Sequence, residues 1–274
     1  MLVLIRRLRH GPLKFLNPMW LVLGLIYRRF VAGSIGFTKQ KIGHYGPFRM
    51  DAQFAFSNFA SWGGAHNDGF AACVEVCRGK HCVIDVGAHI GLVSLPVASV
   101  MPPGGVLVSF EPARANRDLL SRHLRINGFE HVRVEEALVG DEELAAVDFF
   151  EMDDASGMNS IAPGAMGDEY LPVRKAQVTL DGYCERNGLS PEVIKIDVEG
   201  AELGVLRGAR AMLSRCRPLI FLSVHPRQIA LLGESIEALS ALIESLDYDC
   251  RHSDGSPVKS FALREYLLVP REKS

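Results

Sequence analysis

Two stretches of the chain share one pattern: a short apolar run, an acid, then a glycine-containing turn and apolar residues at helical spacing. The first is VIDVGAHIG, Val83 to Gly91, followed by LVSLPVASV. The second is VIKIDVEGAELGVLRGA, in which Val193 to Val198 holds Lys195 as its one cation and Asp197 near its end. Each reads as a buried strand, a tight turn and a helix start. Between them, VLVSFEP reads as a strand and RANRDLLSRHLRINGF as an amphipathic helix stopped by Asn127-Gly128. HVRVEEALVG reads as a third strand, and AAVDFFEM and VRKAQVTL as β segments around a long polar loop, 153–169, with the character of a mobile lid. PLIFLSVHP is a fifth strand ending at His225-Pro226. Ile236, Leu239, Ile243 and Leu246 mark a helix, and YDCRHS and REYLLVP close the chain as an antiparallel pair. Strand–helix alternation predicts an α/β fold. Pro96 predicts a bend or a missing bond in the helix after the first turn.

The chemistry predicted for the first turn follows from its residues. Gly87 and Gly91 let backbone approach a ligand, and the helix start behind Ala88 and His89 offers free N–H groups. Asp85 adds a negative charge at the strand end. The next strand ends in Glu111, 24 residues after Gly87, where doubly wound folds place an acid on ribose hydroxyls. The pattern is D-x-G-x-x-x-G rather than the G-x-G-x-x-G of nicotinamide sites. A carboxylate before the first glycine would repel a pyrophosphate but suits a ligand bearing an amino group and a sulfonium, so the pair predicts S-adenosylmethionine. His89, inside the turn, is a candidate cofactor contact. Asp197 projects where its strand meets the same crevice, and Glu199 and Glu202 read as helix-start charges favourable to the dipole.

Charge divides the chain unevenly. Of 274 residues with a net charge of −2, the first 50 carry nine Lys or Arg and no acid, so the remainder is strongly acidic. Residues 1–31 form a basic, apolar head; 32–80, broken by glycines, form a cover with a short hairpin around GPFRMDAQFAF; 81–274 form the main domain. The head's longest uncharged stretch, Phe15 to Tyr27, is 13 residues, short of the roughly 20 that a membrane span needs. It reads either as an interfacial segment on phospholipid, with Trp20 and Tyr27 at headgroup level, or as a helix packed on the body or a second subunit. In the cover, Asn67 or Asp68 is the expected N-cap, and Trp62, His66, Asn67 and Asp68 are candidate substrate contacts. The six cysteines show no C-x-x-C and no zinc spacing, which predicts reduced thiols in a cytoplasmic protein, peripheral at the membrane if the head engages it. No dedicated metal-ligand spacing is present, and the acidic body argues against nucleic acid. Oligomer formation is left open.

The stretches VIDVGAHIG, FEPARANRDLL, NGF, the MNS of the polar loop, LDGYC and above all IKIDVEGAELGVLRGA resemble the FkbM-type S-adenosylmethionine-dependent methyltransferases. The resemblance runs from about residue 80 to the C-terminus. It implies a Rossmann-like class I methyltransferase fold, with a seven-stranded, mostly parallel sheet and helices on both faces, and O-methylation of a hydroxyl on a sugar, glycolipid, polyketide or similar small molecule, lipid-linked acceptors included. It implies that Asp85, Gly87 and Gly91 hold the methionine end of the cofactor, that Glu111 binds its ribose, that Glu136 and Ala137 border its adenine, and that Asp197 sits beside the methyl group. The catalytic base is then Asp197 by position or His225 by its ordinary pKa. Pro96, His225 at the end of the fifth strand and the cationic head depart from the family pattern. Two rival readings are a nicotinamide oxidoreductase, disfavoured by the missing third glycine, and a membrane-associated scaffold with an inactive methyltransferase fold, disfavoured by the intact acids Asp85, Glu111 and Asp197.

Overall fold

A computed structural model describes residues 16–30, 32–64, 67–152 and 171–272. His66, the polar loop 153–169 with its MNS, and the first fifteen residues of the head lie outside them. The elements are α1 (Asn17–Phe30), β1 (Phe37–Ile42), β2 (Tyr45–Asp51), α2 (Phe70–Val76), β3 (Cys82–Val86), α3 (Ser94–Val100), β4 (Val106–Phe110), α4 (Arg114–Ile126), β5 (Arg133–Glu135), β6 (Leu138–Val139), β7 (Leu144–Glu151), β8 (Leu171–Val178), α5 (Leu180–Asn187), β9 (Val193–Ile196), α6 (Glu202–Arg207), α7 (Arg210–Cys216), β10 (Leu219–Val224), α8 (Pro226–Leu231), α9 (Ile236–Ser245), β11 (Tyr248–Arg251) and β12 (Arg264–Pro270).

Seven strands form one sheet in the order β11-β12-β10-β9-β3-β4-β5. β5, β4, β3, β9 and β10 run parallel, while β12 is antiparallel to both β10 and β11. Helices bury both faces of the parallel strands, so those strands read as near-continuous apolar runs. Ile84, Ile194, Ile220 and Leu222 pack with Leu203, Leu206, Leu213, Leu239 and Ile243 on one side. Val83, Leu107, Val193 and Phe221 pack with Leu95, Leu120 and Leu124 on the other. β3 lies between β4 and β9, where the strand order reverses, and this opens a crevice at the carboxyl ends of the strands.

Several local expectations are refined. The hairpin starts earlier than GPFRMDAQFAF suggested, pairing Phe37 with Asp51 around a turn at Gly43-His44. It does not close over the crevice: Ile42, Phe48 and Met50 join the core of the main domain, with Trp62 packed against it. Gly69, not Asn67 or Asp68, is the N-cap of α2, because the Asp68 carboxylate accepts from Arg264 Nε at 2.7 Å. Pro96 removes one bond, as expected: Leu95 N and Val97 N donate to Gly91 O and Val93 O at 3.0 Å each, and the proline between them has no N–H to give. The third strand is split. Arg133–Glu135 edge the main sheet, and Leu138–Val139 turn away to pair with β8 in a separate sheet of order β6-β8-β7. All six cysteines are free thiols.

That second sheet is locked to the main domain by small residues. A Cβ on Gly208, between α6 and α7, would overlap the carbonyl oxygen of Gly140, and the Gly208 carbonyl already accepts from Asp181 N at 2.9 Å. Backbone on both sides cannot yield as a side chain can. Gly208→Ala should therefore destabilise the protein by about 1–3 kcal/mol, the usual range for overpacking. The check is a urea unfolding curve, in which the midpoint falls and the slope is unchanged.

Candidate functional site

The strand ends meet at one place. After β3 the chain turns through Gly87 (φ 86°), Ala88 and His89 (φ 50°) to Gly91 (φ 94°). Gly87 N and Ala88 N donate to Phe110 O at 3.0 and 2.9 Å, and Asp197 N donates to Val86 O at 2.9 Å. A Cβ on Gly87 would overlap the Asp197 carbonyl oxygen. Glycine is therefore required here twice over, by φ and by space.

A cavity opens above this junction. It is lined by Gly87, His89, Glu111 and Asn116 from the β3 and β4 ends, by Asp197, Val198 and Glu199 after β9, and by Ala137, Leu138, Val139, Phe149 and Gln177. Glu111 is buried. Its Oε2 accepts from His89 N at 2.8 Å and its Oε1 from Ala113 N at 2.9 Å. Burial raises its carboxyl to about 7, against these bonds. Oε1 also accepts from Asn116 Nδ2 at 3.4 Å, so Oε2 is the oxygen that keeps a lone pair for a hydroxyl donor. The Nε2 of His89 is buried and has no hydrogen-bond partner in the protein, and burial lowers the imidazole to about 4, so the ring is neutral at pH 7.

The structure brings Gly87, His89, Glu111, Ala137 and Asp197 to the cavity and leaves four predicted contacts off its lining. Asp85 lies beneath the turn, where its Oδ2 accepts from Ser94 Oγ at 2.6 Å and burial raises it to about 6. It ties the strand end to the start of α3. Ala88 and Gly91 line the core rather than the cavity, with Gly91 against Leu120. Glu136 turns outward to Arg117 Nη2 at 3.2 Å. Trp62, Asn67 and Asp68 are not on the cavity wall either.

His225 stands behind Asp197, off the cavity lining, with its Nε2 at 3.5 Å from both Asp197 Oδ1 and Glu199 Oε1. Its Nδ1 is 2.7 Å from Oε1 of Glu202, which is wholly buried at the start of α6. Burial opposes charge on the ring, but the Glu202 bond and the Asp197 and Glu199 carboxylates outweigh it and raise the His225 pKa. Asp197 is the reverse case: burial pushes it up, while Lys195 and His225 hold it below the usual carboxylate value. Lys195 Nζ donates to Ser223 Oγ at 2.7 Å and lies 3.3 Å from Asp197 Oδ2 and 3.9 Å from Oε2 of the buried Glu265. Burial raises Glu199 and Glu265 to about 7 each. Asp197, Glu199 and His225 offer ligand atoms within 4.8 Å of one another, the arrangement among the described residues that could hold a metal ion. Sequence reading missed Glu265 and took Glu202 for a dipole charge. The available signal was an acid in an otherwise apolar strand, REYLLVP, and an acid fixed at the first position of an apolar helix.

The raised carboxyls share one sign, opposed below pH 6.5 by the lowered imidazoles of His89 and His123, which they outnumber four to two. Asp85, Glu111, Glu199 and Glu265 all have raised folded pKa values, so between their unfolded values and about 6–7 the native state binds more protons than the unfolded chain. Stability then falls as pH rises. The raised His225 acts in the same direction. The thermal midpoint of the ligand-free protein should drop between pH 5 and pH 7.5 and level off above it, and Glu265→Gln should flatten the drop. Scanning fluorimetry across that range checks it.

The sequence profile described as the Methyltransferase FkbM domain matches residues 85–250. Among solved structures, the chain is similar to a methyltransferase FkbM from Methylobacillus flagellatus KT (23% identity, TM-score 0.45, 69% of this chain and 43% of that one), so it spans less than half of that protein's length. It is also similar to the O-methyltransferase TomG from Streptomyces achromogenes, solved in complex with SAM (13%, TM-score 0.45, 77% and 82%), and to an O-methyltransferase from Bacillus cereus in complex with SAH (11%, TM-score 0.43, 76% and 82%). No curated protein matches it by sequence. The profile spans more than half of the chain, over the residues that build the β3 turn and the β9 junction: the chain belongs to the FkbM family of methyltransferases, with a Rossmann-like fold and S-adenosylmethionine as methyl donor.

Proposed function

We propose that this protein methylates a hydroxyl oxygen on a sugar, glycolipid, polyketide or similar small molecule. The observation that carries this reading is the cavity itself, which sets a nucleoside-type cradle (Gly87, His89, Glu111) together with a carboxylate backed by an imidazole (Asp197, His225). The residues fit the donor. Gly87 lets the turn pass close over the Asp197 backbone at the cavity, Glu111 keeps acceptor capacity for ribose hydroxyls, and the orphaned His89 Nε2 offers a polar contact to the ligand. S-adenosylmethionine supplies an electrophilic methyl group on a sulfonium sulfur. The protein's share is alignment and proton removal. Alignment of reacting atoms is worth up to about 7–11 kcal/mol in well-oriented cases.

Asp197 faces the cavity and stays ionised, so it accepts a hydrogen bond from the acceptor hydroxyl and fixes its lone pair. The proton is taken by the Asp197–His225 pair and comes to rest on His225 Nε2. Glu202 is a positioning residue: by accepting a hydrogen bond from Nδ1–H it presents Nε2 toward Asp197 and stabilises the imidazolium.

Calorimetric titration with S-adenosylhomocysteine, with NADH as control, tests the cofactor half. Micromolar binding of the former alone is expected, and Glu111→Ala should weaken it at least ~10-fold, the loss of a charge-assisted hydrogen bond. Failure to bind either ligand would favour the scaffold reading. With a hydroxyl acceptor in hand, Asp197→Asn should lower turnover by about 10²–10⁴-fold. Because His225 must be neutral to take a proton and its pKa is raised, the rate should climb with pH above 6.5. Glu202→Gln weakens the bond that raises it and should move that acid limb to lower pH, whereas a merely structural loss would lower the rate at every pH alike.

A further inference from the structure

Helix α1 is held to the body by one of its faces. Tyr27 is buried against Ala52 and Ala55, with its ring 4.8 Å from that of Phe56. Of the two sequence readings, Tyr27 follows the one that packs the head on the body rather than the one that sets it at headgroup level. A different set is left to solvent. Met19, Val22, Leu23 and Ile26 are 43–56% exposed, and their spacing of i, i+3, i+4 and i+7 puts them on a single stripe of the helix. Four large apolar residues on one exposed stripe are not the scattered exposure normal for a surface.

Charge says what covers this stripe. Residues 1–31 contain six Lys or Arg and no acid, while the chain after residue 50 is strongly acidic. A second copy meeting the stripe across a twofold axis would bring the two cationic heads together, since such an interface sets the same patch against itself. A 14-residue helix, ~21 Å long at 1.5 Å per residue, also presents far less than the ~800 Å² per partner of a stable interface. No helix among the described residues is long and apolar enough to cross a membrane. An exposed apolar stripe flanked in sequence by cations alone fits an anionic bilayer surface, with the stripe in the acyl boundary and the basic residues on phosphates.

We propose that α1 docks the protein on anionic lipid through Met19, Val22, Leu23 and Ile26. The acidic body is repelled by the same surface, so the head alone makes contact. This inference stands apart from the methyl-transfer reading, since it uses no residue of the cavity.

The test is vesicle flotation of the full chain with phosphatidylcholine alone and with phosphatidylcholine containing phosphatidylglycerol, at low and high salt. The protein should float with the anionic vesicles, weakly or not at all with the neutral ones, and less at high salt. Val22→Glu with Ile26→Glu should cut the bound fraction at least ~10-fold, with circular dichroism and thermal midpoint unchanged. Equal flotation of the variant, or none of the parent chain with either vesicle, overturns the proposal. So does a parent chain that is dimeric by light scattering, leaves anionic vesicles unbound and turns monomeric in the variant, because the stripe is then a self-interface. If the variant is unfolded, Leu23→Ser alone, a milder change on the same stripe, must still reduce binding.

Discussion

The close approach of Gly87 to the Asp197 carbonyl is the constraint on which the rest of the site depends. Two adjacent parallel strands, β3 and β9, end side by side, and the turn from one must pass over the backbone of the other. Any side chain at Gly87 would push these ends apart. Three backbone bonds then tie the ends of β3, β4 and β9 to one another. Once that knot is closed, Glu111 and Asp197 are both brought to the cavity lining, because their strands, β4 and β9, flank β3 and end beside it. Site geometry here is a consequence of strand register, and the strands' register follows from apolar runs that need burial on both faces.

Electrostatics sets the second constraint. Asp85, Asp197, Glu202 and Glu265 lie in or under the sheet's carboxyl edge, and Lys195 is the lysine buried among them. Lys195 serves Asp197 first, at 3.3 Å, and Glu265 second, at 3.9 Å. Asp197 is accordingly the acid held ionised, while Asp85 and Glu265 are pushed upward by burial. The sheet thereby selects one carboxylate to face the substrate side in charged form. Burying several acids around one cation is costly for stability, and the arrangement makes chemical sense only where a charged group is wanted at the crevice.

Much of this was legible in the sequence. VIDVGAHIG and IKIDVEGAE marked the two strand–turn–helix units, the acid at the end of VLVSFEP does line the cavity, and the closing antiparallel pair was found as such. What failed did so for physical reasons. Asn67 and Asp68 are good capping residues by local rules, but Arg264, 196 positions away, takes the Asp68 carboxylate. Residues 32–80 looked like a cover because glycines break them and they precede the first strand of the main sheet. In fact Ile42, Phe48, Met50 and Phe70 bury into the same core as β3 and β4. Glu136 sat next to the right residue, but the chain turns between β5 and β6 here, leaving Glu136 on Arg117 and Ala137 on the cavity wall.

Glu202 shows why such misreadings gather at the site. At the first position of α6 an acid is favoured by the helix dipole, and that local reason is sufficient on its own. Yet the same carboxylate reaches β10 and holds His225 at Nδ1 from a wholly buried position. A solvated acid would satisfy the dipole as well; burial is demanded only by the imidazole. The bond also couples α6 to the end of β10, so the packing that seats the helix is the packing that aims the ring. A residue with a complete local explanation can therefore carry a second, long-range task, and burial beyond what the local task requires is the sign of it.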